Sequence, residues 1–185
     1  MKLVCVFHAK QKVVIGDDVY DPEVGSNPPL TMTGMESVVK LIPALEEQGP
    51  FDGVFCSNMS RALCTASVIA LRLGLTFQTV LGLGQYGNLD GKNVIPYPEH
   101  ELDDENTWQN EAMVAIQDIA EGFGLHRDGK TALVISHRPV IAALKAAAQG
   151  IYDKDGIAAI VNDPDLTKDG FVVFNYDKGQ LTLAA

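Results

Sequence analysis

Four polar side chains stand at the ends of short apolar runs. His8 closes "KLVCVF", Ser57 and Arg61 follow "FDGVFC", and His137 follows "KTALVIS". Runs of this length and composition suit strands buried on both faces. In an open α/β sheet the carboxyl ends of the strands line the ligand crevice. Two imidazoles, a guanidinium and a hydroxyl, distant in sequence, are therefore expected to meet at one edge. Each residue also has an ordinary reading: His8 as the polar end of a strand, Arg61 as a surface charge at a helix start, His137 as a satisfied loop histidine. His100 and His126, in polar loop contexts, keep that ordinary reading.

The elements that must position these groups alternate along the chain. After the first run, residues from Lys10 to Pro29 read as a long polar loop. "LTMTGMESVVKLIPALEEQG" then has helical spacing at Val38, Leu41, Ile42 and Leu45, with Thr33 as cap, Glu36 completing a capping box, and Gly49-Pro50 as the stop. "SRALCTASVIALRLGL" predicts a second helix ending at Gly74, and "FQTVLGLG" a third strand. Residues from Tyr86 to Thr107 are loop-rich, and Trp108 to Gly124 is helical. Pro139 suits the first turn of the Ala-rich helix behind His137, and "GFVVFNYDKGQLTLAA" reads as a hairpin around Asp177-Lys178-Gly179. Strands alternating with helices predict a layered α/β fold, a three-layer sandwich on a mostly parallel sheet, with residues 1–185 in a single domain.

Composition narrows the function classes. With 46% hydrophobic and 21% charged residues, the 185-residue chain has ordinary globular balance. Fourteen Lys plus Arg against 24 Asp plus Glu give a formal charge of −10 and argue against a broad nucleic-acid surface. A local basic pocket for a small phosphate is compatible with that charge. No apolar run approaches the roughly 18 residues of a membrane span, and no basic leader with an apolar core and cleavage site opens the chain. Residence in the cytoplasm is expected. Cys5, Cys56 and Cys64, an odd number without metal-ligand spacing, read as buried free thiols in a reducing compartment.

Ordered motifs add to this reading. "VFHAK" stands where the histidine phosphatase superfamily, the phosphoglycerate mutase-like proteins, has a strand ending in Arg-His-Gly. "LTMTGMESVVKL" resembles that family's Leu-Thr-x-x-Gly segment, "DGVFCSNMSRALCTASVIA" its Ser-x-x-x-Arg-Ala-x-x-Thr-Ala segment, and "ALVISHRPVIAAL" its late strand-Ser-His-helix. "YGNLDGK" is similar to a degenerate Phe-Gly-x-Trp-Glu-Gly segment. The resemblance covers nearly the whole chain and implies a phosphoglycerate mutase-like fold. It also implies a phosphomonoesterase in which His8 attacks a phosphoryl group to form a phosphohistidine, with Arg61 and His137 as phosphate ligands and Ser57 adding a hydrogen bond. The substrate would be a small phosphate ester or a phosphoprotein, and neither a metal nor a cofactor is implied.

Departures from the family pattern are equally specific. Phe7 stands where the family has arginine, Ala9 where it has glycine, and the position of the family's proton-donating acid falls on Leu83. Arg138 and, more weakly, Lys10 are candidate replacements for the missing guanidinium. Asp90, Glu99 and Glu101 are candidates for the acid. The alternative expectation is a catalytically impaired pseudophosphatase serving as a phosphate-binding or regulatory module. "CSNMSR" is similar to the cradle of cysteine phosphatases, but Cys56 and Arg61 are one residue too close to wrap a phosphate. No glycine-rich nucleotide loop is present.

Overall fold

The computed structural model describes residues 1–9, 29–84, 107–125, 129–167 and 170–184. Six strands form one sheet: β1 (Lys2–Phe7), β2 (Gly53–Cys56), β3 (Gln78–Thr79), β4 (Thr131–Ser136), β5 (Phe171–Asp177) and β6 (Gln180–Leu183), in the order β3-β2-β4-β1-β5-β6. The first four run parallel, β5 pairs antiparallel with β1, and β6 closes the edge as a hairpin with β5. Both hairpin turn residues have positive φ, Lys178 at 45° and Gly179 at 84°, the geometry whose twist matches the flanking strands.

Alternation along the strands builds two cores. Leu3, Cys5, Phe55 and Val134 meet α3 (Thr107–Gly122), α4 (Arg138–Ala148) and α5 (Lys154–Asn162) on one face. Val4, Val6, Val54, Cys56 and Ile135 meet α1 (Met32–Glu46) and α2 (Ser60–Leu73) on the other. The result is a helix-sheet-helix sandwich on a mostly parallel sheet. Every residue of β4, the strand at the centre of the site, is buried. Cys5, Cys56 and Cys64 are free, and burial pushes the Cys5 and Cys56 thiols up to about 12.

Several elements differ from expectation. The cap of α1 is Thr31 rather than Thr33: the Gly34 N–H donates to Thr31 Oγ1 at 3.0 Å, so Thr33 and Glu36 lie within the helix, which ends at Glu46. "FQTVLGLG" contributes only the two exposed residues of β3, because Leu83 turns inward through a 3₁₀ turn, Leu81–Leu83, to enter the core. That turn sits directly on α3. A Cβ at Gly82 would come within 2.9 Å of the Ala115 Cβ. Helix α5 was not anticipated, although its signals are present: Asp153 accepts from the Gly156 N–H at 2.8 Å, and Ile157, Ile160 and Val161 recur at helical spacing and are buried.

Candidate active site

Strand register brings the distant motifs together. β4 lies between β1 and β2, with Ser136 opposite Phe7 and Ile135 opposite Cys56. The ladders continue one step further, the His8 N–H donating to Ser136 O and the Ser57 N–H to Ile135 O, each at 3.0 Å. His8, Ser57 and His137 thus leave three adjacent strands at one level, at the carboxyl ends where helices α2 and α4 begin. Arg61 comes from the first turn of α2, on the sheet face that Val4 and Val6 also occupy.

Two hydrogen bonds define the state of His8. Its Nδ1 lies 2.9 Å from Ala9 O, and a carbonyl only accepts, so Nδ1 carries the proton. Its Nε2 then presents a lone pair, to which Arg61 Nε–H donates at 3.1 Å. Both contacts require the same neutral tautomer. His8 is 8% exposed, and burial lowers its pKa to about 4, the Arg61 charge adding to the effect and the Ala9 carbonyl opposing it. At neutral pH its Nε2 is free of a proton. Burial also lowers the Arg61 pKa.

Thr65, the threonine of the Ser-x-x-x-Arg-Ala-x-x-Thr-Ala segment, to which the sequence assigns no role, ties this pair together. Its hydroxyl donates to Arg61 O at 2.8 Å and accepts the Ala9 N–H at 3.2 Å, joining α2 to the segment behind His8. Its signal was its position four residues after Arg61, on the same helix face. Met59 Sδ lies 3.9 Å from Arg61 Nη1.

His137 is fully buried beside this pair, its ring centroid 5.0 Å from that of His8 in an edge-to-face arrangement. His137 Nε2 lies 2.8 Å from Ser57 Oγ, which also accepts the Met59 N–H at 3.2 Å, and among the described residues His137 Nδ1 has no hydrogen-bond partner. Burial, reinforced by the Arg61 and His8 charges, lowers the His137 pKa to about 2. The Phe7 ring packs against His8 with centroids 4.6 Å apart and planes tilted by 35°, so an apolar surface stands beside the imidazole.

Arg138 does not join His8, Arg61, Ser57 and His137 as expected. Its Nε donates to Val161 O at 2.6 Å and its Nη2 to Asp163 O, at the carbonyl-rich end of α5. Val161 O belongs to the last turn of α5, beyond the reach of intrahelical N–H groups, and Asp163 O, just past the helix, also accepts the Leu166 N–H at 3.1 Å. Leu83 is fully buried in the core, and its carbonyl accepts from Ser136 Oγ at 2.8 Å, so its place is structural. Lys10, Asp90, Glu99, His100, Glu101, His126 and the "YGNLDGK" segment lie outside the described residues. Among the described residues no group of three or more His, Cys, Asp or Glu side chains is arranged to hold a metal ion, and no helix is long and apolar enough to cross a membrane.

The fold is shared with solved structures of low sequence identity. A mycobacterial glucosyl-3-phosphoglycerate phosphatase superposes with a TM-score of 0.68 at 15% identity over 99% of this chain and 95% of that one. A mutant phosphoserine phosphatase from Entamoeba histolytica, in complex with phosphoserine, gives 0.67 at 15% identity over 100% and 95%. Phosphoglycerate mutase from Bacillus anthracis gives 0.65 at 16% identity over 100% and 91%. Curated protein sequences yield no match. The family model for the histidine phosphatase superfamily (branch 1) matches residues 23–182, and the chain belongs to that superfamily.

Proposed function

We propose that this protein is a phosphomonoesterase that works through a phosphohistidine at His8 Nε2, on a small phosphorylated molecule or a phosphoprotein. The observation that carries the reading is the paired hydrogen bonding of His8: Nδ1–H to Ala9 O, and the Nε2 lone pair held at Arg61 Nε. A nucleophile needs an unprotonated, oriented nitrogen, and this one is both. On substrate binding the phosphorus takes the place of the Arg61 N–H in front of Nε2. The released guanidinium edge then meets the phosphoryl oxygens, whose charge it stabilises as the P–O ester bond breaks. Water attacks the phosphorus of the phosphohistidine, the P–N bond breaks, and phosphate leaves with His8 regenerated.

A second reading, the impaired pseudophosphatase, draws on Phe7 beside His8 and on Leu83 in the core. Turnover of an aryl phosphate, whose leaving group needs little protonation, separates the two. The phosphatase reading predicts a wild-type rate that His8→Ala reduces to background, and a phosphohistidine trapped by acid-free quenching. Equal rates for the two proteins would sink it. The continuous sheet, covered on both faces, supports a single domain, and the buried free thiols support a reducing, cytoplasmic setting.

A further inference from the structure

His137 holds a polar atom that nothing in the resting site uses. Ser57 Oγ accepts the Met59 N–H, and its own proton has His137 Nε2 within reach as an acceptor. The imidazole proton then sits on Nδ1, which is buried without a partner. A buried orphan of this kind in a site marks a place for a ligand atom.

Charge points the same way. Arg61 brings one positive charge, while His8 and His137 are neutral at rest, and the ring beside His8 is the apolar Phe7. Among the described residues, the charges that disfavour imidazolium at His137 are that of Arg61, from α2, and that of His8, just past β1, once it is protonated. Arg138, on its own helix, is bound to the end of α5, and Lys145 pairs with Asp163 at 3.4 Å. On α3 the Glu111 backbone carbonyl lies against the turn that holds Leu83, and among the described residues the buried Glu111 Oε2 has no hydrogen-bond partner. Among the described residues, a phosphoryl dianion placed beside Arg61 has one negative charge unmatched, and an adjacent negative charge favours imidazolium.

We infer that the phosphoryl dianion enters with one proton, that His137 carries it, and that the leaving-group oxygen receives it in place of a carboxylic acid at the position Leu83 occupies. This rests on the phosphatase reading. With the proton aboard, His137 Nε2–H donates to Ser57 Oγ and Nδ1–H faces the anion. As His8 Nε2 bonds to phosphorus, the P–O ester bond breaks, the departing oxygen takes the Nδ1 proton, and the alcohol leaves. Water then attacks phosphorus, one of its protons passes to His137 Nδ1, the P–N bond breaks, and hydrogen phosphate is released. His137 is then back in its loaded, protonated form, and it returns to the neutral resting form as hydrogen phosphate and that proton leave the site.

Sulfate tests the loading, because it is a dianion without a proton of its own at neutral pH. Calorimetric titration of the full chain with sulfate, in two buffers of different ionisation enthalpy, is expected to show uptake of about one proton per ion bound. Nitrogen spectra of the wild-type imidazoles are expected to show His137 changing from a single-NH form to imidazolium as sulfate is added. His137→Asn, whose side chain suits the helix-capping position, should abolish the uptake. The same variant should lose roughly tenfold more kcat/KM on phenyl phosphate than on nitrophenyl phosphate, whose leaving group needs little acid help. Sulfate that does not bind, binding without proton uptake, uptake that persists in His137→Asn, or equal losses on the two esters overturns the inference. Uptake at His137 together with turnover no faster than His8→Ala instead refutes the phosphatase reading and the delivery step, and supports the loading.

Discussion

Arg61 and Arg138 hold matching places and opposite roles. Each sits in the first turn of a helix launched from the carboxyl end of a parallel strand, α2 behind β2 and α4 behind β4. Arg61 is 3% exposed and aims its Nε at His8, whereas Arg138 spends its Nε and Nη2 on the carbonyls of Val161 and Asp163. The difference is the side of the sheet. α2 packs on the face of Val4 and Val6, toward which His8 also points, while α4 packs on the opposite face beside α5. An arginine next to a site in sequence is recruited by the acceptors its helix face meets, and for Arg138 those are the last carbonyls of α5.

The comparison can be broken experimentally. Arg61→Met should lower kcat/KM on an aryl phosphate by about 100- to 1,000-fold, the usual cost of removing one preorganised donor. Arg138→Met should leave kcat/KM within about threefold of wild type but lower stability in denaturant melts by about 2 to 3 kcal/mol, because two hydrogen bonds from a charged group are lost. If the Arg138 variant were as impaired in turnover as the Arg61 variant, the assignment of the two roles would fail.

A smaller effect sharpens the electrostatics around Arg61. Both histidines are buried with lowered pKa, so below about pH 6.5 the unfolded chain binds protons that the folded chain refuses. Their contribution to stability is full above that pH and is lost on acidification. Between about pH 6.5 and 4 the loss is about 1.4 kcal/mol per pH unit for each histidine. His137→Asn should halve that slope in melts taken across this window, and an unchanged slope would show that His137 is not held neutral in the fold.

Much of this was legible residue by residue. "KLVCVF" and "TALVIS" are apolar without alternation because both faces of their strands are covered, and Gly74, at φ 66°, ends α2 where its freedom from a Cβ permits that turn. The course of the Ser-x-x-x-Arg segment was legible because its elements are local: a strand end, a turn and a helix start. Failures came where a distant partner decided. Thr31 and Thr33 are both adequate caps by type, and only the course of the chain into α1 chose Thr31. Arg138 was assigned by its neighbour His137, although its partners lie 23 and 25 residues away in a helix that had not been anticipated.

By itself, then, the sequence determined which segments bury both faces, where helices α1 to α4 begin or end to within about a turn, and which side chains stand at the strand ends. These follow from periodicity and backbone chemistry that act over a few residues. Only the tertiary structure decided that β4 inserts between β1 and β2, so that His137 rises beside His8 and Ser57, and that one arginine faces the imidazole while the other secures a helix end. Those outcomes depend on contacts between residues far apart in the chain, whose free energy is set by the packing of whole faces and is written in no single segment.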